Sequence, residues 1–114
     1  MERVCFQSEA VEMTILSKSI RILGKDYELI HDNTGLSDQN LLGRSKCAQQ
    51  KIFYADDQGA AQLRDTLLHE ILHVVDWTVK AELKENQVAA IASGLYAVFK
   101  DNPEFVEWLM KDMK

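Results

Sequence analysis

The segment TLLHEILHVVDW, residues 66–77, places two histidines and a glutamate inside a run of aliphatic side chains. Leucine, isoleucine or valine occupies positions 67, 68, 71, 72, 74 and 75, which together cover most of the circumference of a helix. A helix that is apolar nearly all round is a buried one. Because polar groups buried without partners cost several kcal/mol, His69, Glu70 and His73 require something to bind.

The two histidines have the spacing of a metal site. His69 and His73 lie at i and i+4, so both imidazoles project from one face of the helix. In the pattern HExxH, two histidines at this spacing bind Zn²⁺, and the glutamate acts as general base on a metal-activated water. The segment therefore predicts one Zn²⁺ ion held by His69 and His73, with Glu70 as the catalytic residue.

A catalytic zinc site has three protein ligands and one open position. The metzincin continuation of the motif is excluded, because Val79 stands where that motif needs a further His or Asp. If a second helix returns antiparallel to the first, residues equally far from position 79 lie at the same height, which matches His73 with Glu85. Glu85 is therefore the predicted third ligand, and Glu82, one turn earlier, is the alternative.

A stripe of small and apolar residues continues from Glu85 at helical spacing and suits close packing on the first helix. Its members are Val88, Ala89, Ala92 and Tyr96. The first helix is predicted from about Gly59 to about Val79, with Asp56 or Asp57 as its cap. The second is predicted from about Leu83 to Lys100, and Asn102 and Pro103 begin a short third helix.

Strands are predicted in the first half of the chain. SKSIRIL (17–23) and YELIH (27–31) alternate in polarity around a GKD turn, DNTGLSDQN (32–40) has loop composition, and LLGRSKC (41–47) and KIFYA (51–55) form a second pair. LLGRSKC is the predicted edge strand. The fold class is therefore α+β: a small antiparallel sheet packed on the HExxH helix and a following antiparallel helix, in one domain spanning residues 1–114.

Several further residues are candidates for roles around the metal. His31, Tyr54 and Tyr96 are each candidates for donating a hydrogen bond to the oxyanion of a cleaved peptide. Asp76, three residues after His73, is a candidate for orienting a ligand imidazole. Trp77, one turn past His73, is interpreted as a core residue, with a platform for substrate as the alternative.

Composition and charge limit which binding partners and which cellular compartment the sequence predicts. The formal net charge is −5 and the basic residues are scattered, which argues against nucleic acid or an anionic membrane as the main partner. The start of the chain has no apolar signal region, and the longest apolar run is shorter than a membrane span. These features predict a cytoplasmic protein whose Cys5 and Cys47 are reduced thiols.

TLLHEILHVVDW followed by ENQVAAIASGLYAVFKDNPEFVEWL resembles the small, often phage-encoded zinc peptidases of the ImmA/IrrE type, over roughly residues 18 to 110. The resemblance implies a zincin-like fold, His69 and His73 as ligands, Glu70 as base and Glu85 as third ligand. That type more often has paired acidic residues and a longer preceding loop at the third-ligand helix, so Glu82 stays open.

The resulting hypothesis is a zinc-dependent peptidase acting on a protein or peptide. The resemblance implies a narrow intracellular target such as a transcriptional regulator. The alternative is a non-catalytic metal-binding module of phage origin that binds a regulatory partner, and a third interpretation takes the HExxH as accidental. Metal content separates the third interpretation from the other two.

Overall fold

The computed structural model describes residues 19–32, 35–36, 41–55 and 57–111. Within these ranges it contains four strands, a short 3₁₀ turn and three helices. The strands are β1 (Ile20–Ile22), β2 (Lys25–His31), β3 (Gly43–Lys46) and β4 (Lys51–Tyr54), with the 3₁₀ turn at Cys47–Gln49. The helices are α1 (Ala60–Val79), α2 (Glu85–Asp101) and α3 (Pro103–Met110). The predicted α+β class is confirmed, while Cys5, Asp56 and most of the predicted 32–40 loop lie outside the described residues.

The first hairpin forms as predicted, but its turn lies one residue earlier than GKD. Leu23 and Gly24 connect β1 to β2 with φ values of 50° and 88°. Ile22 pairs with Lys25, so the loop has two residues. Positive φ at both central positions is typical of the turn whose twist matches the flanking strands, and glycine adopts it readily.

The sheet is mixed, so the prediction of an antiparallel sheet is wrong. Its order is β1-β2-β4-β3, with β2 and β4 parallel and the other two pairs antiparallel. In β4, Ile52 and Tyr54 are buried, whereas β3 consists of the residues GRSK. The apolar strand β4 therefore takes the inner position, where it lies beside β2 and parallel to it. The polar strand β3 takes the sheet edge, as predicted.

The core lies between the sheet and α1. Its buried members are Ile22, Tyr27, Ile52 and Val74, and around them pack Ile20, Leu29, Cys47, Leu67, Ile71 and Val75. On its other side α1 packs against α2, where the predicted stripe residues Val88 and Ala92 are fully buried. None of these described helices is long and apolar enough to cross a membrane.

The helix ends differ in part from the prediction. Gly59, not Asp57, is the N-cap of α1, and no side chain caps that end. Helix α2 begins at Glu85, and the Gln87 side chain accepts a hydrogen bond from the Lys84 backbone N–H. Asn102 precedes Pro103 as predicted, but its side-chain amide donates to the Val98 carbonyl at the end of α2.

Two valines on the helices should contribute differently to the free energy of unfolding, because one lies in the core and the other is exposed. Val74→Ala removes two methyl groups at a fully buried site, so we expect a loss of about 2 kcal/mol in the free energy of unfolding. Val98→Ala, at a side chain that is 48% exposed, is the matched control and should change it by less than about 0.5 kcal/mol. Urea unfolding of both variants measures this, and equal losses would contradict the packing described.

Candidate metal centre

The register of the α1–α2 hairpin brings Glu85 against the two histidines. Glu85 Oε1 lies 2.7 Å from His73 Nε2. Eight residues before His73 and eight after Glu85, Ser93 Oγ donates to Asp65 Oδ1 at 3.0 Å. Both contacts belong to one antiparallel alignment of the helices. The predicted matching of His73 with Glu85 is therefore confirmed as a structural relation.

The connection between the helices is held by Asp76. Lys80 ends α1 in the left-handed conformation, with its backbone N–H donating to the Asp76 carbonyl. The Asp76 carboxylate accepts a hydrogen bond from the Leu83 backbone N–H at 3.1 Å. Asp76 therefore fixes the loop that delivers Glu85, a supporting role that differs from the predicted orientation of an imidazole.

Three side chains converge on one point. His69 Nε2 lies 2.8 Å from Glu85 Oε2 and 3.1 Å from His73 Nε2. In a tetrahedral zinc site with bonds of about 2.0–2.1 Å, neighbouring ligand atoms are about 3.3 Å apart. The three groups are thus a few tenths of an ångström closer than such a site requires. A small outward movement of the side chains accommodates the ion.

Hydrogen bonds among the two imidazoles and the Glu85 carboxylate do not satisfy all three groups. If both imidazoles carry a proton on Nε2 to donate to Glu85, two N–H groups face each other across 3.1 Å. The carboxylate is 69% exposed, and ion pairs so exposed add little stability. A cation that accepts lone pairs from all three groups removes this conflict, so the donor set fits a divalent metal.

Glu82, the alternative ligand, lies in the loop between the helices with φ of 59° and is exposed. In the part of the chain that the structure describes, the group with metal-binding proximity is His69, His73 and Glu85, whose ligand atoms lie within 4.8 Å of one another. The structure therefore brings Glu85, and not Glu82, to the histidines.

Glu70 lies beside this group, in the lining of both cavities at this centre, and is buried under β3. Its exposure is 7%, because β3 covers this side of α1. Burial raises the pKa of the Glu70 carboxyl, while a hydrogen bond from Ser45 and the neighbouring His69 and His73 oppose this rise. A carboxylate with a raised pKa is a stronger base than an ordinary one, as a general base requires.

Gly43 permits the close approach of β3 to α1. A Cβ at this position would lie 2.6 Å from Thr66 Cγ2 and 3.3 Å from Glu70 Oε2. Thr66 is buried and donates to Gln58 Oε1, and the Gln58 amide donates to the Leu42 carbonyl at the start of β3. Residue 43 therefore carries no side chain because the backbone lies directly on Thr66 and Glu70.

Two cavities open at the metal centre. The larger, about 610 Å³, is lined at one end by His73, Asp76 and Trp77 and includes Arg44, Ser45 and Cys47. The smaller, about 240 Å³, is lined by Gln62, Asp65 and Thr66 at its other end. Trp77 is 51% exposed, so its interpretation as a core residue is wrong. It lies one turn beyond His73, in the lining of the larger cavity.

The remaining candidates lie elsewhere. The rings of His31 and Tyr54 stack at 5.7 Å where β2 pairs with β4, and Tyr96 lies half-buried on α2. Of the described residues, these three do not line either cavity, and their predicted oxyanion role stays a prediction. Cys47 is half-buried in the larger cavity, and burial raises the pKa of its thiol.

Sequence reasoning missed Gly43 and Ser45. A glycine inside a strand pattern, as in LLGRSKC, signals close backbone approach and could have indicated the first. Ser45 had no signal of its own, because its role depends on the β3–α1 contact.

No family model matches the chain, and no curated protein or solved structure matches it closely.

The contact at Gly43 predicts opposite effects for the same substitution at two glycines. Gly43→Ala forces the buried Thr66 and Glu70 to move, so we expect a loss of about 1–3 kcal/mol in unfolding free energy. Gly94→Ala, within α2 where a Cβ meets open space, should add about 0.5–1 kcal/mol. Thermal unfolding of both variants measures the difference. A tolerated alanine at residue 43 would refute the close approach.

Proposed function

We propose that this protein is a zinc-dependent peptidase of zincin-like fold. The observation that carries the proposal is the pairing of the His69, His73 and Glu85 group with the buried Glu70 on the same helix. Two imidazoles and one carboxylate are the donor set of many catalytic zinc sites, and three ligands keep a position open. The resemblance of the HExxH segment to ImmA/IrrE-type peptidases adds to this support.

Glu70 carries the proton in the proposed reaction. Bound Zn²⁺ would lower the pKa of a water and polarise the peptide carbonyl. Glu70 accepts a proton from the attacking water as its oxygen bonds to the carbonyl carbon. It then gives this proton to the amine nitrogen as the C–N bond breaks. The position of Glu70 in the lining of both cavities suits both steps, since the group must accept a proton from the water and release it to the amine.

The substrate is proposed to be a protein or peptide in extended conformation. Strand β3 lies at the sheet edge, and Gly43, Arg44 and Ser45 line the larger cavity beside Glu70. An extended chain can add to such an edge through backbone hydrogen bonds. We propose an intracellular regulatory protein as the target, as the resemblance to the ImmA/IrrE type implies.

The metal centre predicts that two glutamates three residues apart differ in their effect on zinc affinity. Glu85→Ala removes a carboxylate at 2.7 Å and 2.8 Å from the imidazoles, so zinc should bind at least about 100-fold more weakly. Glu82→Ala is the matched control and should bind zinc as the unaltered protein does. Competition with a chromophoric chelator measures both affinities. Equal affinities would exclude Glu85 as a ligand.

Catalysis is tested by Glu70→Gln, which keeps the shape of the side chain and removes the base. We expect this variant to bind one equivalent of zinc and to hydrolyse a library of internally quenched peptides about 10²–10⁴-fold more slowly. Glu104→Gln, at an exposed position on α3, is the control and should retain full activity. Unchanged hydrolysis in Glu70→Gln would refute the mechanism. Zinc binding without hydrolysis by any form would favour the non-catalytic metal-binding module.

A further inference from the structure

The two cavities form one cleft along α1. They share Leu41, Gly43, His69, Glu70 and Glu85. The larger continues toward the C-terminal end of α1 and the smaller toward its N-terminal end. A molecule bound at the metal centre therefore has room to extend along the helix in both directions.

The two ends of this cleft differ in chemistry. Toward the C-terminal end of α1 lies Trp77, with the exposed side chain of Leu41 on the shared wall. Toward the N-terminal end lie Gln62, Asp65 and Thr66. The larger cavity also holds Arg44, Ser45 and Asp76, and Leu42 lines the smaller one, so the feature that distinguishes the two ends is the exposed indole of Trp77.

Packing within the chain buries only part of the Trp77 side chain. Half of its surface faces solvent, although a large apolar side chain gains free energy by burial. An exposed aromatic ring inside a concave site is typical of surfaces that bind ligands. Residues one helical turn apart have Cβ atoms about 5–6 Å from each other, and an extended peptide advances about 3.3 Å per residue. If the cleaved peptide bond lies at His73, Trp77 is thus within reach of the substrate side chain next to that bond.

Resting on the proposed function, we propose that Trp77 forms an apolar subsite that selects peptides with a large apolar side chain adjacent to the cleaved bond. The indole face covers that side chain, and Leu41, which is exposed in the part of the cleft common to both cavities, adds apolar surface beside the metal centre. At the other end of the cleft, Leu42 lies among Gln62, Asp65 and Thr66, and no phenylalanine, tyrosine or tryptophan is among the described residues that line it. The substrate class is therefore a peptide with a large apolar residue on one defined side of the bond.

Two hydroxamic acids test the subsite without a known substrate. Acetohydroxamic acid presents the metal-binding group alone, and 3-phenylpropionohydroxamic acid adds a phenyl ring. Calorimetry on the zinc-loaded protein should show roughly tenfold tighter binding of the phenyl compound, the gain expected for covering half of an indole ring. Trp77→Ala should reduce this preference to less than about twofold and leave the acetohydroxamic acid affinity unchanged.

Trp108→Ala is the matched control, since Trp108 is 66% exposed on α3 and should leave the preference intact. A preference that persists in Trp77→Ala would overturn the subsite while leaving the metal centre supported. Failure of both compounds to bind the zinc-loaded protein would instead reject the proposed function, and the subsite with it.

A second measurement keeps Trp77 in place. In Trp108→Phe, the indole fluorescence comes from Trp77 alone, because the chain has two tryptophans. The phenyl compound should change this emission more strongly than acetohydroxamic acid does. Equal responses to the two compounds would overturn the subsite.

Discussion

The alignment of α1 against α2 is the constraint on which the metal centre depends. His69 and His73 converge because one helical turn separates them, but Glu85 reaches them only because the two helices keep one register over their length. Asp76 fixes the connection, and Val88 and Ala92 fill the interface. Loss of this register would separate the Glu85 carboxylate from the two imidazoles, so the three groups could not hold one metal ion.

Two carboxylates serve the centre in opposite environments. Glu85 is mostly exposed and faces the imidazoles, as suits a ligand that holds a cation at an open site. Glu70 is buried under β3, and burial raises its pKa. Because the two side chains belong to different helices and meet different surroundings, one fold gives them the separate environments that the proposed roles of ligand and base require. Gly43 makes this possible by letting the strand lie directly on α1.

Much of the centre could be predicted because it depends on local spacing. HExxH defines one face of a helix, and a short connection limits how the next helix can return, so Glu85 could be chosen over Glu82. The parallel pairing of β2 with β4 could not be predicted in this way, since strand order depends on which strand buries more apolar surface. Trp77 was misassigned for a related reason: its position on the helix is local, but the cavity beside it depends on where β3 ends.

Anomalous scattering at the zinc absorption edge from crystals grown with zinc tests the central claim most directly. We expect one strong peak about 2.0–2.1 Å from His69 Nε2, His73 Nε2 and a Glu85 carboxylate oxygen. Glu70 should remain outside the coordination sphere, with its carboxylate facing the open position. A peak bound by other residues, or no peak between α1 and α2 in fully folded protein, would contradict the account.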